Sequence, residues 1–374
     1  MNVLSPEELR RYARHLALPE FGRKGQENAR RASVLVVGAG GLGSPMLLYL
    51  AAAGIGRIGI VDFDRVDETN LQRQVLYSME DIGKPKAATA RRKLLALNPH
   101  IEVEVYEEQL TSENALDIIS RYDIVADGTD NFPTRYLVND ACVLAGKVNV
   151  YASIFRFEGQ VSVFNHLEED GSRGPNYRDL FPTPPPPELV PNCAEGGVLG
   201  VLPGIIGSMQ ANEVIKVATG VGEPLSGKLF LFDASSFTTR ILKVRKNPEL
   251  VIDRLIDYEQ FCAPTPQAPV RQLNVHSLKE LIDEGADFQL IDVREPYEYE
   301  IANLGGELIP PEQIRAQAGR ISTDKKVILH CRSGKRSAAA IRELQKLHPY
   351  ENLYNLEGGI LAWAREIDPE MKQY

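Results

Sequence analysis

Short apolar runs alternate with longer segments rich in Leu and Ala through much of the chain. Ala32-Ser33-Val34-Leu35-Val36-Val37 is almost uninterruptedly apolar, as a strand covered on both faces must be. Ser44 to Ala53 behind it predicts a helix, and Gly56 to Val61 predicts a second strand, with Asp62 and Asp64 beyond its end. The rhythm continues with a helix over Lys86 to Leu97, a strand over Ile101 to Tyr106, a helix over Ser112 to Ser120 and a strand over Ile124 to Asp127. Such alternation predicts an α/β protein with an open, mainly parallel sheet flanked by helices. Ser5, ahead of Pro6, is placed to cap an earlier helix.

The centre changes character. Gln160 to Phe164 largely alternates and reads as a strand, whereas Leu167 to Pro191 is polar and holds the prolines 184 to 187, which predicts a long loop or crossover. Ile205 to Val217 predicts a buried helix, and Lys228 to Asp233 with Thr239 to Val244 a closing strand pair. A proline-rich linker over 263–272 separates a first domain, 1–262, from a second, 273–374. In the second the alternation restarts: a helix over Ser277 to Ile282, strands over Phe288 to Val293 and Lys326 to His330, a helix opened by Ser337 and running to Leu347, and a last helix holding Trp363.

Composition narrows the function classes. At 374 residues, 43% hydrophobic and 25% charged, the chain is an ordinary globular protein long enough for two cores. A net charge of -9 argues against nucleic acid as the main partner. Met1 to Arg30 lacks the apolar segment of a signal peptide, and Leu47 to Val61 is broken by Gly54, Gly56 and Arg57, so neither secretion nor a membrane is expected. Cys142, Cys193, Cys262 and Cys331 form no Cys-x-x-Cys pair; the expectation is a reducing cytoplasm, with no structural zinc and no disulfide scaffold.

Candidate chemistry gathers at two places. Gly38, Gly40 and Gly43 set a G-x-G-x-x-G turn between strand and helix, where the helix N-terminus can receive a phosphate. That pattern alone would also suit a dehydrogenase, with Asp62 on the ribose. Asp64, Asn70, Arg73, Gln74 and Lys86 weigh against hydride transfer, and so do Asp130 and Asn131. Attack at phosphorus needs cations around a triphosphate, here Arg73 and Lys86, and a carboxylate for Mg²⁺, here Asp130. In isolation each of these residues also reads as solvated surface or a turn cap.

From about Arg10 to Cys262 the chain resembles the adenylating enzymes that activate ubiquitin-like proteins, a Rossmann-like family. Its nearest branch is the molybdopterin-synthase and thiamine sulfur-carrier adenylyltransferases. The likeness rests on Arg11 to His15, the glycine turn, Asp62-Phe63-Asp64, Asn70 to Gln74, Gly83 to Lys86 and Gly128 to Asn131. It implies ATP contacts from Gly41, Asp62, Thr69, Asn70, Leu71, Gln72 and Arg73, a phosphate on Lys86 and Mg²⁺ on Asp130. It also implies a homodimer in which Arg14 reaches the neighbouring subunit's site. The implied substrate is the C-terminal Gly-Gly carboxylate of a ubiquitin-like sulfur-carrier protein. Many relatives hold zinc with two Cys-x-x-Cys pairs. The matching stretches here, Asn176 to Asp179 and Glu249 to Ile252, lack cysteine, so hydrogen bonds and packing are expected in zinc's place. In related enzymes a cysteine placed like Cys193 can bond to the carrier; an inert thiol is the other reading.

The second place is Cys331-Arg332-Ser333-Gly334-Lys335-Arg336-Ser337, where a loop of small and basic residues could hold a sulfur anion. Asn274 to Trp363 resembles a rhodanese domain. The resemblance is carried by Asp292 to Glu295, Tyr297 to Glu300, the loop from Cys331 to Arg336, and Asn355 to Gly359 ahead of Trp363. It implies a persulfide on Cys331, with Arg336 touching the anion and a cysteine desulfurase or thiosulfate as sulfur donor. The stretch Asn303 to Gly306 departs from the usual His-Ile-Pro-Gly.

Taken together, the two resemblances imply adenylation of a carrier followed by its thiocarboxylation, in molybdenum cofactor synthesis. The same chemistry could serve thiamine, cysteine or tRNA thiolation pathways, and a non-catalytic carrier-docking protein is the reading from another class.

Overall fold

Val34 and Val36 point to one face of their strand and Leu35 and Val37 to the other, and all four are buried, so the first strand lies inside its sheet. A computed structural model describes residues 4–184, 197–263 and 269–372. The chain divides into two units, Met1–Ala263 and Pro264–Tyr374.

The first unit is built on β1 (Ser33–Val37), β2 (Arg57–Val61), β3 (Glu102–Tyr106), β4 (Ile124–Asp127), β5 (Val148–Phe155), β6 (Glu158–Phe164), β7 (Lys228–Asp233) and β8 (Thr238–Lys243). They form one sheet in the order β3-β2-β1-β4-β5-β6-β7-β8. The first five are parallel and the last three antiparallel. Helices Gly43–Ala53, Lys86–Leu97 and Leu202–Thr219 share a core with Val34, Val36, Ile58 and Ile60. Helices Ala115–Ser120 and Phe132–Leu144 cover Leu35, Val37 and Val125 on the other face. Each fully buried Val or Leu of these layers contributes roughly 1.5–3 kcal/mol. The strand order turns back between β1 and β4, and the crevice at their carboxyl ends is where such sheets take ligands.

The second unit holds β9 (Gln272–Leu273), β10 (Phe288–Asp292), β11 (Glu307–Leu308), β12 (Lys326–His330) and β13 (Leu353–Leu356). They make a parallel sheet in the order β11-β10-β12-β13-β9. Cys331 follows directly on the central strand. The α/β class and mainly parallel first sheet expected from the pattern are what the structure has. Among the described residues no helix is long and apolar enough to cross a membrane.

Some elements differ from the expectation. The polar stretch after Leu167 contains a short helix, Tyr177–Leu180, because Asn176 and Asp179 form a capping box that composition conceals. Prolines 185 to 187 lie outside the described residues. Helix Phe132–Leu144 is buried continuously from Arg135 to Cys142, so it shows no 3.6-residue alternation to read. The helix expected to open at Ser337 begins at Lys335 instead, with Gly334 at its cap. A φ of +90° at Gly334, which disfavours residues with a Cβ, turns the chain into that helix early.

Candidate active sites

The first crevice is lined by Gly38, Gly40 and Gly41 after β1, Asp62 and Asp64 after β2, Arg73, Lys86, and Asp130 with Asn131 after β4. Gly43 is needed for the approach of helix to turn: a Cβ there would stand 2.0 Å from the Gly38 carbonyl oxygen. The helix that starts at Gly43 therefore directs its positive end at the crevice.

Asp62 is fixed by its neighbours. Its carboxylate accepts the Ala39 N–H at 2.8 Å and the Asp64 N–H at 2.9 Å. Burial raises its pKa, while those bonds and nearby Lys86 oppose the rise. Lys86 is nearly enclosed, and its Nζ stands 3.0 Å from Asp64 Oδ2. Arg73 reaches back to the Thr69 carbonyl at 3.2 Å, and Thr69 itself is bonded to Asp67 in a short turn that also holds Asn70. Leu71 packs against the core and Gln72 lies beside Gly200. Thr69, Asn70, Leu71 and Gln72 are thus near Arg73 in the chain but do not line the crevice. Arg14, exposed on helix Ala13–Leu16, does not line it either.

At the end of β4, Asp127 Oδ1 accepts both the N–H and the hydroxyl of Thr129, which turns the chain outward. Asp130 is exposed at the crevice, and the capping of helix Phe132–Leu144 falls to Asn131, whose Oδ1 accepts the Thr134 N–H at 2.9 Å. The sequence reading missed Glu108, Gln109, Arg135, Ile154 and Val198, which also line the crevice. Glu108 and Gln109 were findable, because they follow the carboxyl end of β3. Arg135 was not, lying inside a helix with no motif around it. Of the lining residues, Gln74 Oε1 and Arg135 Nε are buried without a hydrogen-bond partner, as groups that face a polar ligand would be.

Around Asn176 to Asp179, one of the two stretches expected to do without zinc, a polar knot ties the chain. Arg178 makes paired bonds of 2.8 and 2.7 Å to Asp140, and the Tyr258 hydroxyl donates to the same carboxylate at 2.7 Å. Asp179 accepts the Asn247 N–H at 2.8 Å. Among the described residues no group of three or more His, Cys, Asp or Glu could hold a metal ion. Burial pushes the Cys262 thiol up to about 11, with Glu259 adding to the rise, and raises that of Cys142 well above its ordinary value. Cys193 lies outside the described residues.

In the second unit Cys331 is wholly buried at the end of β12. Its Sγ accepts the Gly334 N–H at 3.2 Å and lies 3.4 Å from Ser337 Oγ. Carbonyls at the start of the loop are turned away from the sulfur: Ile360 N–H donates to Cys331 O at 2.9 Å and Leu361 N–H to Arg332 O at 3.1 Å. Those donors open the last helix, Gly359–Glu366, which is why the Gly358-Gly359 turn follows β13. Arg336 makes a bidentate pair of 2.6 and 2.7 Å with buried Glu298. Glu298 is steadied in turn by Arg294, which bonds its carbonyl and the fully buried Asp292. Tyr297, largely exposed, lies within the field of Arg336 and Arg332. The departing stretch Asn303 to Gly306 makes its own turn, with Asn303 Oδ1 accepting the Gly305 N–H at 3.1 Å. The sequence shows Glu298 and Asn355 only as parts of motifs and names no partner for either.

Comparison with known proteins adds relatives to this geometry. Residues 12–252 match the ThiF family and residues 274–366 match the rhodanese-like domain. A probable adenylyltransferase/sulfurtransferase MoeZ of Mycobacterium tuberculosis is 48% identical, covering 100% of this chain and 97% of its own length. A sulfur carrier protein adenylyltransferase of Thermus thermophilus is 56% identical over 68% of this chain and 97% of its own. An adenylyltransferase and sulfurtransferase MOCS3 of Mus musculus is 43% identical, with 100% of this chain and 88% of that protein covered. Among solved structures, E. coli MccB with ATP aligns with a TM-score of 0.56 at 22% identity, over 67% of this chain and 76% of its own, a likeness of fold.

Proposed function

The chain belongs to the ThiF family and carries a rhodanese-like domain behind it, and from that premise we propose that it adenylates the C-terminal Gly-Gly carboxylate of a ubiquitin-like sulfur-carrier protein and then converts it to a thiocarboxylate. The observation that carries this reading is the pairing, in one chain, of a glycine-turned crevice bearing Arg73 and Lys86 with a buried cysteine whose Sγ accepts the Gly334 N–H. Full-length similarity to proteins named adenylyltransferase/sulfurtransferase supports it.

Residues 1–262 carry the first step and 273–374 the second, joined by the linker 263–272. The carrier's carboxylate attacks the α-phosphorus of ATP; a P–O bond forms and pyrophosphate leaves with the electron pair of the bond broken. No general base is needed, since the nucleophile is already an anion. Asp62 takes the ribose, the glycine turn holds the nucleotide, Thr69 to Gln72 position Arg73 from outside the crevice, and Lys86 and Arg73 offset charge growing on the phosphates. Asp130, relieved of capping by Asn131, would hold Mg²⁺, which would share that charge when bound. Arg14 would complete the site of a second subunit in a homodimer.

Cys331 persulfide, loaded from thiosulfate or a cysteine desulfurase, then attacks the acyl carbon and AMP departs, leaving an acyl disulfide. A thiol, which we assign to Cys193, attacks Cys331 Sγ; a new disulfide forms and the carrier leaves as thiocarboxylate. Molybdenum cofactor synthesis is the pathway we favour. Thiamine, cysteine or tRNA thiolation would use the same residues with another carrier. Incubating the protein with ATP, Mg²⁺, thiosulfate, a reducing thiol and candidate carriers should add about 16 Da to one of them, the difference between oxygen and sulfur. Carrier-dependent ATP–pyrophosphate exchange should accompany it; its absence with every Gly-Gly-ended carrier would sink the reading.

A further inference from the structure

Behind the reactive sulfur runs a closed line of hydrogen bonds. Ser337 Oγ stands 2.6 Å from Asn355 Oδ1 and 3.4 Å from Cys331 Sγ. Asn355 Nδ2 donates to Gln272 Oε1 at 2.7 Å, which leaves Asn355 Oδ1 facing the hydroxyl. Ser337 and Cys331 are both wholly buried, and Asn355 nearly so. The serine has one proton and three acceptors in reach, the amide oxygen, the sulfur and, at 3.2 Å, the Gly334 carbonyl oxygen; the amide oxygen is much the closest.

We propose that Ser337 is a catalytic residue of the sulfur site, its hydroxyl turning from Asn355 to Cys331 Sγ each time the outer sulfur leaves. Asn355 and Gln272 are positioning residues that hold the hydroxyl ready. The proposal rests on Cys331 carrying a persulfide. In that state the charge sits on the outer sulfur and Sγ is a weak acceptor, so the proton points at the amide. When a nucleophile takes the outer sulfur, its own bond to sulfur forms, the S–S bond breaks, and the electron pair stays on Sγ as a thiolate. The Gly334 N–H already points at Sγ. The hydroxyl supplies a second donor by rotation, keeping its own proton, at a sulfur wholly buried in the fold.

Full-length protein is loaded with sulfur from thiosulfate or inorganic polysulfide, freed of excess donor and mixed with cyanide, and thiocyanate is followed in a single turnover. Ser337→Ala should load to the parent's extent and unload about tenfold more slowly, with Ser337→Thr restoring most of the rate. Asn355→Asp keeps the volume and the serine but offers the proton a carboxylate, so it should unload slowly as well. This second variant also decides the matter if Ser337→Ala does not fold. A packing role alone would leave Asn355→Asp at the parent's rate. Parent-rate unloading by either folded variant overturns the proposal alone; a parent protein that takes up no sulfur from either donor overturns the reading of Cys331, and this proposal with it.

Discussion

Lys86 Nζ lies 3.0 Å from Asp64 Oδ2, yet the lysine side chain is 6% exposed and the aspartate 54%. The ammonium is thus held at the crevice wall by a partner that remains open to solvent and can be displaced by phosphate. Lys86→Met should lower carrier-dependent ATP–pyrophosphate exchange by about 100-fold or more, the scale on which a transition-state charge partner acts. Asp64→Asn should cost much less, because it removes a tether and leaves the charge. Equal losses in the two variants, measured by exchange at saturating ATP, would show that the pair acts as a unit.

Cys331→Ala separates the two steps. Exchange should continue at the parent's rate while thiocarboxylate formation from thiosulfate disappears, with carrier mass as the readout. A variant that still adds sulfur would move the sulfur site elsewhere.

His330, wholly buried beside Asp292 and Arg294, has a pKa lowered to about 4, chiefly by burial. The unfolded chain takes up this proton near pH 6.5, before the folded one does. Stability is therefore full above about pH 6.5 and falls as the pH drops toward 4, by at most about 1.4 kcal/mol per pH unit from this group. Trp363, the single tryptophan, lies in the second unit and reports its unfolding in the full-length protein. The urea midpoint by Trp363 fluorescence should be lower at pH 5 than at pH 7, and His330→Asn should flatten that dependence. An equally steep fall in His330→Asn would assign the effect to other groups.

The Asp140–Arg178 pair is almost enclosed, with side chains 2% and 10% exposed. Arg178→Ala leaves a buried carboxylate without its cation and should destabilise the first unit by about 3–5 kcal/mol. Circular dichroism during urea unfolding would measure it. A chelator should leave the parent's unfolding midpoint where it was; a chelator-induced drop would mean that a metal, and not this knot, fastens the region.

Much of this was legible in the chain. The run Val34 to Val37 and the glycines after it fixed the first strand, the turn and the crevice, because consecutive backbone geometry writes itself into consecutive residues. Glu298 with Arg336, and Ser337 with Asn355, were not legible as pairs, since the partners meet only when β10, β12 and β13 line up side by side. Gly334 misled the reading of the next helix, because its left-handed backbone starts the helix at Lys335 and puts Ser337 inside, against the sulfur. Helix Phe132–Leu144 was hidden for another reason: burial on every side erases the periodicity that announces a surface helix.

The amides of Ile360 and Leu361 that fasten the Cys331 loop have a consequence during translation. A ribosome that has just released Cys331 has made a thiol but not yet its cradle, which exists only after some thirty more residues emerge. Every strand of the larger sheet has left the exit tunnel by then, so a nascent chain can gain its first crevice well before it can cradle the Cys331 thiol.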